Sequence, residues 1–251
     1  MPLTLTQVHG MVMVIGLMIF ASTGVLFARY GRSIRFGNRR QLLGKAVWFQ
    51  IHRFLLSISS ILTLLGFLLI LVRKGGQWAN LATSDIRAFI HSIFGGTIVC
   101  CTMVQVWLAL YRCHPQSRYR YIFDWSHRIV GLTVFILVIP TIFLISDAMS
   151  RFRPNLVPIF SCWIGWIVIV VLVLERIQYK QRSIVTPLAN SVQTADTKEE
   201  NGQRNVRQDT ETATSMNNDH RRYDRLKLIL LLCHFLVTNV IAIVFIVYIC
   251  S

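Results

Sequence analysis

The sequence predicts an all-α membrane protein with six transmembrane helices, the first four of which form an antiparallel bundle. The chain has 251 residues, of which 54% are hydrophobic, and its mean hydropathy is +0.53. Its apolar residues are concentrated in runs of about the 20 residues that a helix needs to cross a bilayer. The runs show no strand-like alternation, and helices satisfy their own backbone groups in lipid. The six runs lie at approximately 8–28, 47–72, 87–110, 122–145, 157–174 and 228–250.

Each of the first four runs carries a histidine near its start. Each lies 18 to 20 residues before the last apolar residue of its run, so the same side chain recurs at one depth in four successive helices. An ionisable group inside a membrane helix costs about 2.5–3.5 kcal/mol or more, which makes these histidines candidates for function. They are His9 in VHGMVMVIG, His52 in WFQIHRFLL, His91 in AFIHSIFGG and His127 in DWSHRIVGL.

Two of these helices also carry a glycine four residues after the histidine, namely Gly95 and Gly131. Residues four apart share one helix face, so each missing side chain is expected to open a gap one turn beyond the imidazole. Three histidines remain, and we expect no site role for them. His114 lies beside Pro115 in a loop, His220 lies in the polar segment, and His234 in the sixth run has no partner at its depth.

The chain after the fourth run divides into two further helices and a polar segment. Residues 177–225 are rich in Ser, Thr, Asn and Gln and carry mixed charge, a composition typical of disorder. We therefore predict a transmembrane domain over 1–176 that contains the first five helices, a disordered cytosolic loop over 177–225, and a sixth helix within 226–251.

The charge distribution predicts the orientation of the chain. A net charge of +15 would indicate nucleic acid as a partner of a soluble protein. Here sixteen basic residues flank the helices on one side and five on the other, so the lipid bilayer is the expected partner and nucleic acid is not. The positive-inside rule places the basic loops in the cytosol and both termini outside the cell or in a lumen.

Short connections imply that the first four helices run up and down, so the histidines alternate between the membrane faces. His9 and His91 lie toward the exterior, and the other two toward the cytosol. Diagonal helices can therefore point two imidazoles at one object between them, first His9 with His91 and then His52 with His127. The helical rise over 18–20 residues is about 27–30 Å, which leaves two sites stacked across the bilayer.

Two opposed imidazoles favour haem over zinc at each site. Zinc takes four tetrahedral ligands or three and a water, and the first four runs offer no further ligand set. A six-coordinate haem iron needs only two axial ligands from the protein, and it transfers electrons because it has no open position. The sequence lacks a CxxCH motif, so the haems are expected to be b-type.

These motifs resemble the cytochrome b561 family. HG with FARYG in the first helix, WFQIHR in the second, HSIFG in the third and DWSHRIVG in the fourth are similar to the DOMON-linked, ferric-chelate reductase-like branch. The resemblance covers about 8–146. It implies an oxidoreductase with two b haems, bound by His9 with His91 and by His52 with His127.

The resemblance also implies partners and a location. The donor would be cytosolic ascorbate or a similar reductant, and the exterior acceptor a ferric chelate or monodehydroascorbate. The expected membranes are the plasma membrane or an endosomal or vesicle membrane, and a homodimer is compatible with the sequence. Because the chain starts a few residues before His9, the DOMON and reeler domains of longer relatives are expected to be missing from it.

The donor site is less well defined, because the ascorbate-binding motif of the vesicle-type members does not occur in this sequence. Lys45, Arg53 and Arg128 are candidates to bind an anionic donor, since they are cations beside the cytosolic histidines. Anchoring of the helices at the interface explains these three residues equally well.

The sequence bears on two alternative functions. A quinol-oxidising or metalloreductase cytochrome would carry two histidines about 13–14 residues apart on one helix, and the absence of that spacing from every run argues against it. A non-redox transporter or scaffold would use the histidines to gate protons or to pack helices.

Overall fold

The computed structural model describes residues 2–34, 41–42, 44–80, 82, 84–112, 114, 116–195 and 205–251, without the side chains of 184–195, 205–218 and 220. It confirms the predicted fold class, because six helices are long and apolar enough to cross a membrane. They are α1 (Leu5–Ser33), α2 (Val47–Arg73), α3 (Ile86–Leu110), α4 (Arg120–Ala148), α5 (Leu156–Ala195) and α6 (Asn205–Cys250).

Two of the helices on the predicted exterior side begin at side-chain caps. Thr4 and Gln7 form a reciprocal capping box at the start of α1. At the start of α3, the Asp85 carboxylate accepts a hydrogen bond from the Arg87 backbone N–H at 2.7 Å. This hydrogen bond, which is made to the charged form, lowers the pKa of Asp85 below its ordinary value.

Helix α1 changes its winding as it crosses the bundle. An α-helical start, Leu5–Met13, leads into a π-helical stretch, Val14–Ala21, and α-helical geometry returns over Ser22–Tyr30. Glycines let this helix approach α2 closely: a Cβ on Gly24 would lie 1.9 Å from the Leu56 Cδ2 atom. Small residues at helix contacts are a common way to pack helices in lipid.

Helix α1 is also the most enclosed element. In its most apolar stretch of 18 residues, 61% of the residues are buried, whereas the buried share of the corresponding stretch is 17–28% in the other five helices. It packs against α2 and α6, while α3 packs mainly against α4. The outer faces of the bundle stay apolar and exposed, for example at Ile61, Ile136 and Val240, as expected of surfaces that face lipid chains.

Two features differ from the sequence-based expectations. A short antiparallel hairpin, β1 (Gln41–Leu42) with β2 (Lys45–Ala46), joins α1 to α2 where no strand was predicted. Gly44 lies in its turn with φ of 71°, a conformation that glycine adopts without steric cost.

The second difference concerns the predicted disordered loop over 177–225. In the structure α5 continues to Ala195 and α6 begins at Asn205, and the intervening 196–204 lie outside the described residues. Side-chain contacts between the two helices explain part of this continuation. Gln181 Nε2 donates to Asp224 Oδ1 at 3.2 Å, and the buried Lys227 ammonium donates to Gln181 Oε1.

Candidate functional site

The structure brings the four predicted histidines together in two pairs. The ring centroids of His9 and His91 are 6.5 Å apart, and their planes cross at 83°. The rings of His52 and His127 are 6.3 Å apart and cross at 80°. All four rings are partly buried inside the first four helices. Each pair therefore joins one ring from each of two diagonal helices, as the alternating depths predict.

These separations match two imidazoles that share one metal ion. A ligating imidazole nitrogen lies about 2.0–2.1 Å from a metal such as zinc. A five-membered ring with bonds of about 1.33 Å places its centroid about 1.1 Å behind that nitrogen. Two rings on opposite sides of one ion are then about 6.3 Å apart between centroids. Both pairs fit a bis-imidazole iron.

Three of the four rings are oriented by a backbone carbonyl that accepts a hydrogen bond from Nδ1. His9 donates to Gly66 O at 2.7 Å, and His52 donates to Gly24 O at 2.9 Å. His91 donates to Thr141 O at 2.9 Å. A carbonyl can only accept, so Nδ1 carries the proton and Nε2 keeps its lone pair. A metal-ligating histidine normally has this second hydrogen bond on its other nitrogen.

The hydrogen bonds between these rings and the backbone carbonyls, which we call backbone anchors, also show that the bundle contains two similar halves. His9, near the start of α1, contacts a carbonyl near the end of α2, and His52, near the start of α2, contacts one near the end of α1. His91 repeats this relation between α3 and α4. The same step of 75 residues leads from His52 to His127 and from Gly66 to Thr141.

His127 has different surroundings from the other three. Its Nδ1 atom is buried and has no hydrogen-bond partner among the described residues. Its ring stacks on Phe123 with centroids 5.9 Å apart and planes at 7°. The Gln105 side chain donates from Nε2 to the His127 carbonyl at 2.5 Å. A Cβ on Gly131 would lie 3.0 Å from that Nε2 atom, so Gln105 occupies the gap that the sequence predicted there.

The remaining histidines lie apart from the pairs. His234 is fully buried in α6 and contacts Ser22 Oγ through Nε2 at 3.1 Å. His114 lies exposed in the connection between α3 and α4, and the His220 side chain is outside the described residues. Among the described residues, no group of three or more His, Cys, Asp or Glu could hold a metal ion.

Cations surround the end of the bundle that carries His52 and His127. The three predicted candidates, Lys45, Arg53 and Arg128, are exposed. Sequence reasoning did not single out Arg112, whose guanidinium lies 4.3 Å from the centroid of the Phe49 ring. Desolvation, followed by repulsion from Arg120, lowers the pKa of Arg112 below its ordinary value. Its place in the sequence marks only a basic loop, because its contact with Phe49 depends on how α2 and α3 pack.

Comparison with known proteins decides the family. Residues 8–151 match the family model of eukaryotic cytochrome b561. The chain belongs to the cytochrome b561 family. No solved structure matches it.

Three of its relatives carry one name, ferric-chelate reductase 1. The mouse protein is 33% identical over 152 residues, which are 60% of this chain and 24% of that protein. The human protein is 30% identical over 151 residues, again 60% of this chain and 24% of that protein. The cattle protein is 32% identical over 146 residues, or 58% and 23%. This cytochrome b561 chain therefore spans about 24% of the length of its mouse and human relatives.

Family membership confirms the resemblance. The chain is a multi-pass membrane protein of a haem b-binding family of transmembrane electron carriers. This finding argues against the alternative of a non-redox transporter or scaffold.

Proposed function

We propose that this chain holds two b haems and passes electrons from a cytosolic donor to an exterior or lumenal acceptor. His9 and His91 would hold the exterior haem, and His52 and His127 would hold the cytosolic haem. The observation that carries the proposal is the spacing of the two imidazole pairs, 6.5 and 6.3 Å between centroids. A bound haem supplies one-electron chemistry at its iron.

The protein contributes ligand orientation and a dry environment. The carbonyls of Gly66, Gly24 and Thr141 fix three rings with Nε2 directed away from the hydrogen bond. A hydrogen bond of this kind raises the basicity of the ligating nitrogen. Buried apolar side chains around α1 exclude water from the interior, and solvent exclusion is one of the factors that set a haem's potential.

The charge distribution supports the direction of transfer. The basic loops favour a cytosolic location for the His52 and His127 end, with both termini exterior or lumenal. The donor would be ascorbate or a similar anionic reductant. The acceptor would be a ferric chelate, in keeping with the name of the relatives, or monodehydroascorbate. The membrane would be the plasma membrane or an endosomal or vesicle membrane.

The cytosolic surface offers a place for an anionic donor. Arg112 lies over Phe49, and Arg32 lies over Trp48 at 5.4 Å. Both aromatic residues precede His52 by less than two turns of α2. We assign the donor site to this surface, with Lys45, Arg53 and Arg128 as further cations at its border.

Haem quantitation in single-histidine variants tests the proposal. The purified chain should hold two b haems, and His91→Ala or His52→Ala should each lower the content to about one. His52→Ala should also abolish reduction of the exterior haem by ascorbate added on the cytosolic side. His114→Ala, in an exposed connection, is the matched control and should keep both haems. A chain that binds no haem, or that loses none in either variant, would contradict the proposal.

A further inference from the structure

Among the described residues, one of the four rings has no hydrogen bond to a backbone carbonyl. The Nδ1 atoms of His9, His52 and His91 each donate to a carbonyl of the neighbouring helix. The Nδ1 atom of His127 is buried and has no partner among the described residues. A buried donor without an acceptor is uncommon in folded proteins, and a nearby acceptor is expected to serve it.

The similarity of the two halves indicates the region of α3 in which that acceptor should lie. The carbonyl of Gly24 in α1 serves His52 in α2. A step of 82 residues leads from His9 to His91, and the same step from Gly24 leads to Val106 in α3. Gln105 is the neighbour of Val106, and its side chain already contacts His127 through the backbone carbonyl.

Gln105 also has an unused acceptor of the required kind. Its Oε1 atom is buried and, like His127 Nδ1, has no partner among the described residues. The amide can approach His127 because Gly131 has no side chain: a Cβ there would lie 3.0 Å from Gln105 Nε2. One unsatisfied donor and one unsatisfied acceptor therefore lie on residues that already touch, and rotation of the Gln105 side chain moves Oε1 without moving either helix.

We propose that Gln105 is the positioning residue of His127, with its Oε1 accepting the Nδ1–H in place of the backbone carbonyl that serves each of the other three rings. The inference rests on the proposed function, because it assigns His127 Nε2 to the cytosolic haem. Gln105 would act on the haem only through the histidine.

A side-chain anchor has a consequence that a backbone anchor lacks. Substitution cannot remove a backbone carbonyl, whereas a change at position 105 alters the acceptor directly. An acceptor on Nδ1–H increases the basicity of Nε2 and so stabilises ferric over ferrous iron. Removing it should raise the midpoint potential of the cytosolic haem, and placing a carboxylate there should lower it.

Redox titration of the full chain in lipid nanodiscs, by absorbance and electron paramagnetic resonance, tests this assignment with Gln105→Leu and Gln105→Glu. Gln105→Leu should change the ratio of ferric to ferrous stability about tenfold, a rise of about 59 mV for a one-electron couple. Gln105→Glu should shift the potential downward. Gln105→Leu should also release the cytosolic haem about 10- to 100-fold more readily.

The matched control is Asn239→Leu, which removes another partly buried amide; its Nδ2 donates to Phe235 O within α6. It should leave both potentials unchanged, and the exterior haem should keep its potential in every variant. Unchanged potentials in both Gln105 variants, or shifts in the same direction, would overturn this inference alone, since Gln105 would then only brace the His127 carbonyl. A wild-type chain without the cytosolic haem would overturn the proposed function and this inference together.

Discussion

A single imidazole in either pair must satisfy two requirements inside the membrane. Its Nε2 must face the partner ring, and its Nδ1 must have an acceptor, because a buried donor left unpaired costs about 1–3 kcal/mol. The carbonyls of Gly66, Gly24 and Thr141 meet the second requirement for three rings. The same hydrogen bonds fix the tautomer that the first requirement needs, so helix packing and ring orientation depend on each other at these residues.

Arg112 is the residue at which we expect the donor site to be most sensitive. Arg112→Gln removes a cation that lies over Phe49 at the end of the bundle carrying His52. We expect the KM for ascorbate to rise about 3- to 10-fold, since an exposed charge interaction contributes about 0.2–1 kcal/mol and a partly desolvated one more. Stopped-flow reduction of the haem at varied ascorbate concentration and varied ionic strength measures the effect.

Arg73→Gln is the control for Arg112, because Arg73 lies in the last turn of α2, at the opposite end of the bundle. It should leave the KM for ascorbate unchanged. Equal effects of the two substitutions would indicate a general change of surface charge and would remove Arg112 from the donor site.

At the scale of helices, Gly24 lies at a close contact between α1 and α2. A Cβ at Gly24 would lie 1.9 Å from Leu56 Cδ2 and 3.3 Å from Leu55 Cβ. Gly24→Val should therefore push the helices apart, at a cost of about 1–3 kcal/mol for overpacking. The carbonyl of residue 24 would move with α1, and its hydrogen bond to His52 would weaken. We expect a lower thermal unfolding temperature and selective loss of the cytosolic haem.

Gly165→Val tests whether this effect is local. A Cβ at Gly165 meets nothing within 4 Å, so the larger side chain finds open space on α5. Both haems should remain, and the unfolding temperature should change little. Loss of the exterior haem instead of the cytosolic one in Gly24→Val would contradict the role of this carbonyl at His52.

The elements also show what sequence alone can predict. Apolar runs are long enough that six helices follow from the thickness of a bilayer, and the structure has them. The continuation of α5 and α6 into polar sequence could not be predicted from composition. It involves contacts between helices, such as Gln181 with Asp224, whose partners are 43 residues apart. The turn at Gly44 was missed because its two strands are only two residues long.

For the molecule as a whole, the asymmetry of basic loops predicts its orientation. Epitope tags at the N-terminus and the C-terminus should bind antibody on intact cells or on the lumenal side of vesicles. A tag inserted near residue 200 should bind only after the membrane is permeabilised. The physical reason is the excess of basic residues in the loops on that side. Antibody binding to the inserted tag in sealed, intact cells would place this loop outside the cytosol. It would contradict both the orientation and the direction of electron transfer that we propose.

The sequence predicts which histidines form the candidate site, but it does not predict the groups that accept their hydrogen bonds. The recurrence of histidine at one depth predicted both ring pairs, since up-and-down helices bring alternate residues to one face. The acceptors of their Nδ1 atoms are mostly backbone carbonyls, which leave no signature in residue identity. The Gln105 side chain can be read from the sequence, but its contact with His127 cannot. That contact depends on the gap at Gly131 and on the approach of α3 to α4.

Helices α1 and α2 form a hairpin that two reciprocal hydrogen bonds hold together. His9 of α1 donates to the Gly66 carbonyl of α2, and His52 of α2 donates to the Gly24 carbonyl of α1. This hairpin supplies one ring to each pair, and the hairpin of α3 and α4 supplies the other. Neither half of the bundle contains a complete pair. Both pairs therefore form only when the two hairpins pack together, and a fragment that carries one hairpin would contain one ring of each pair.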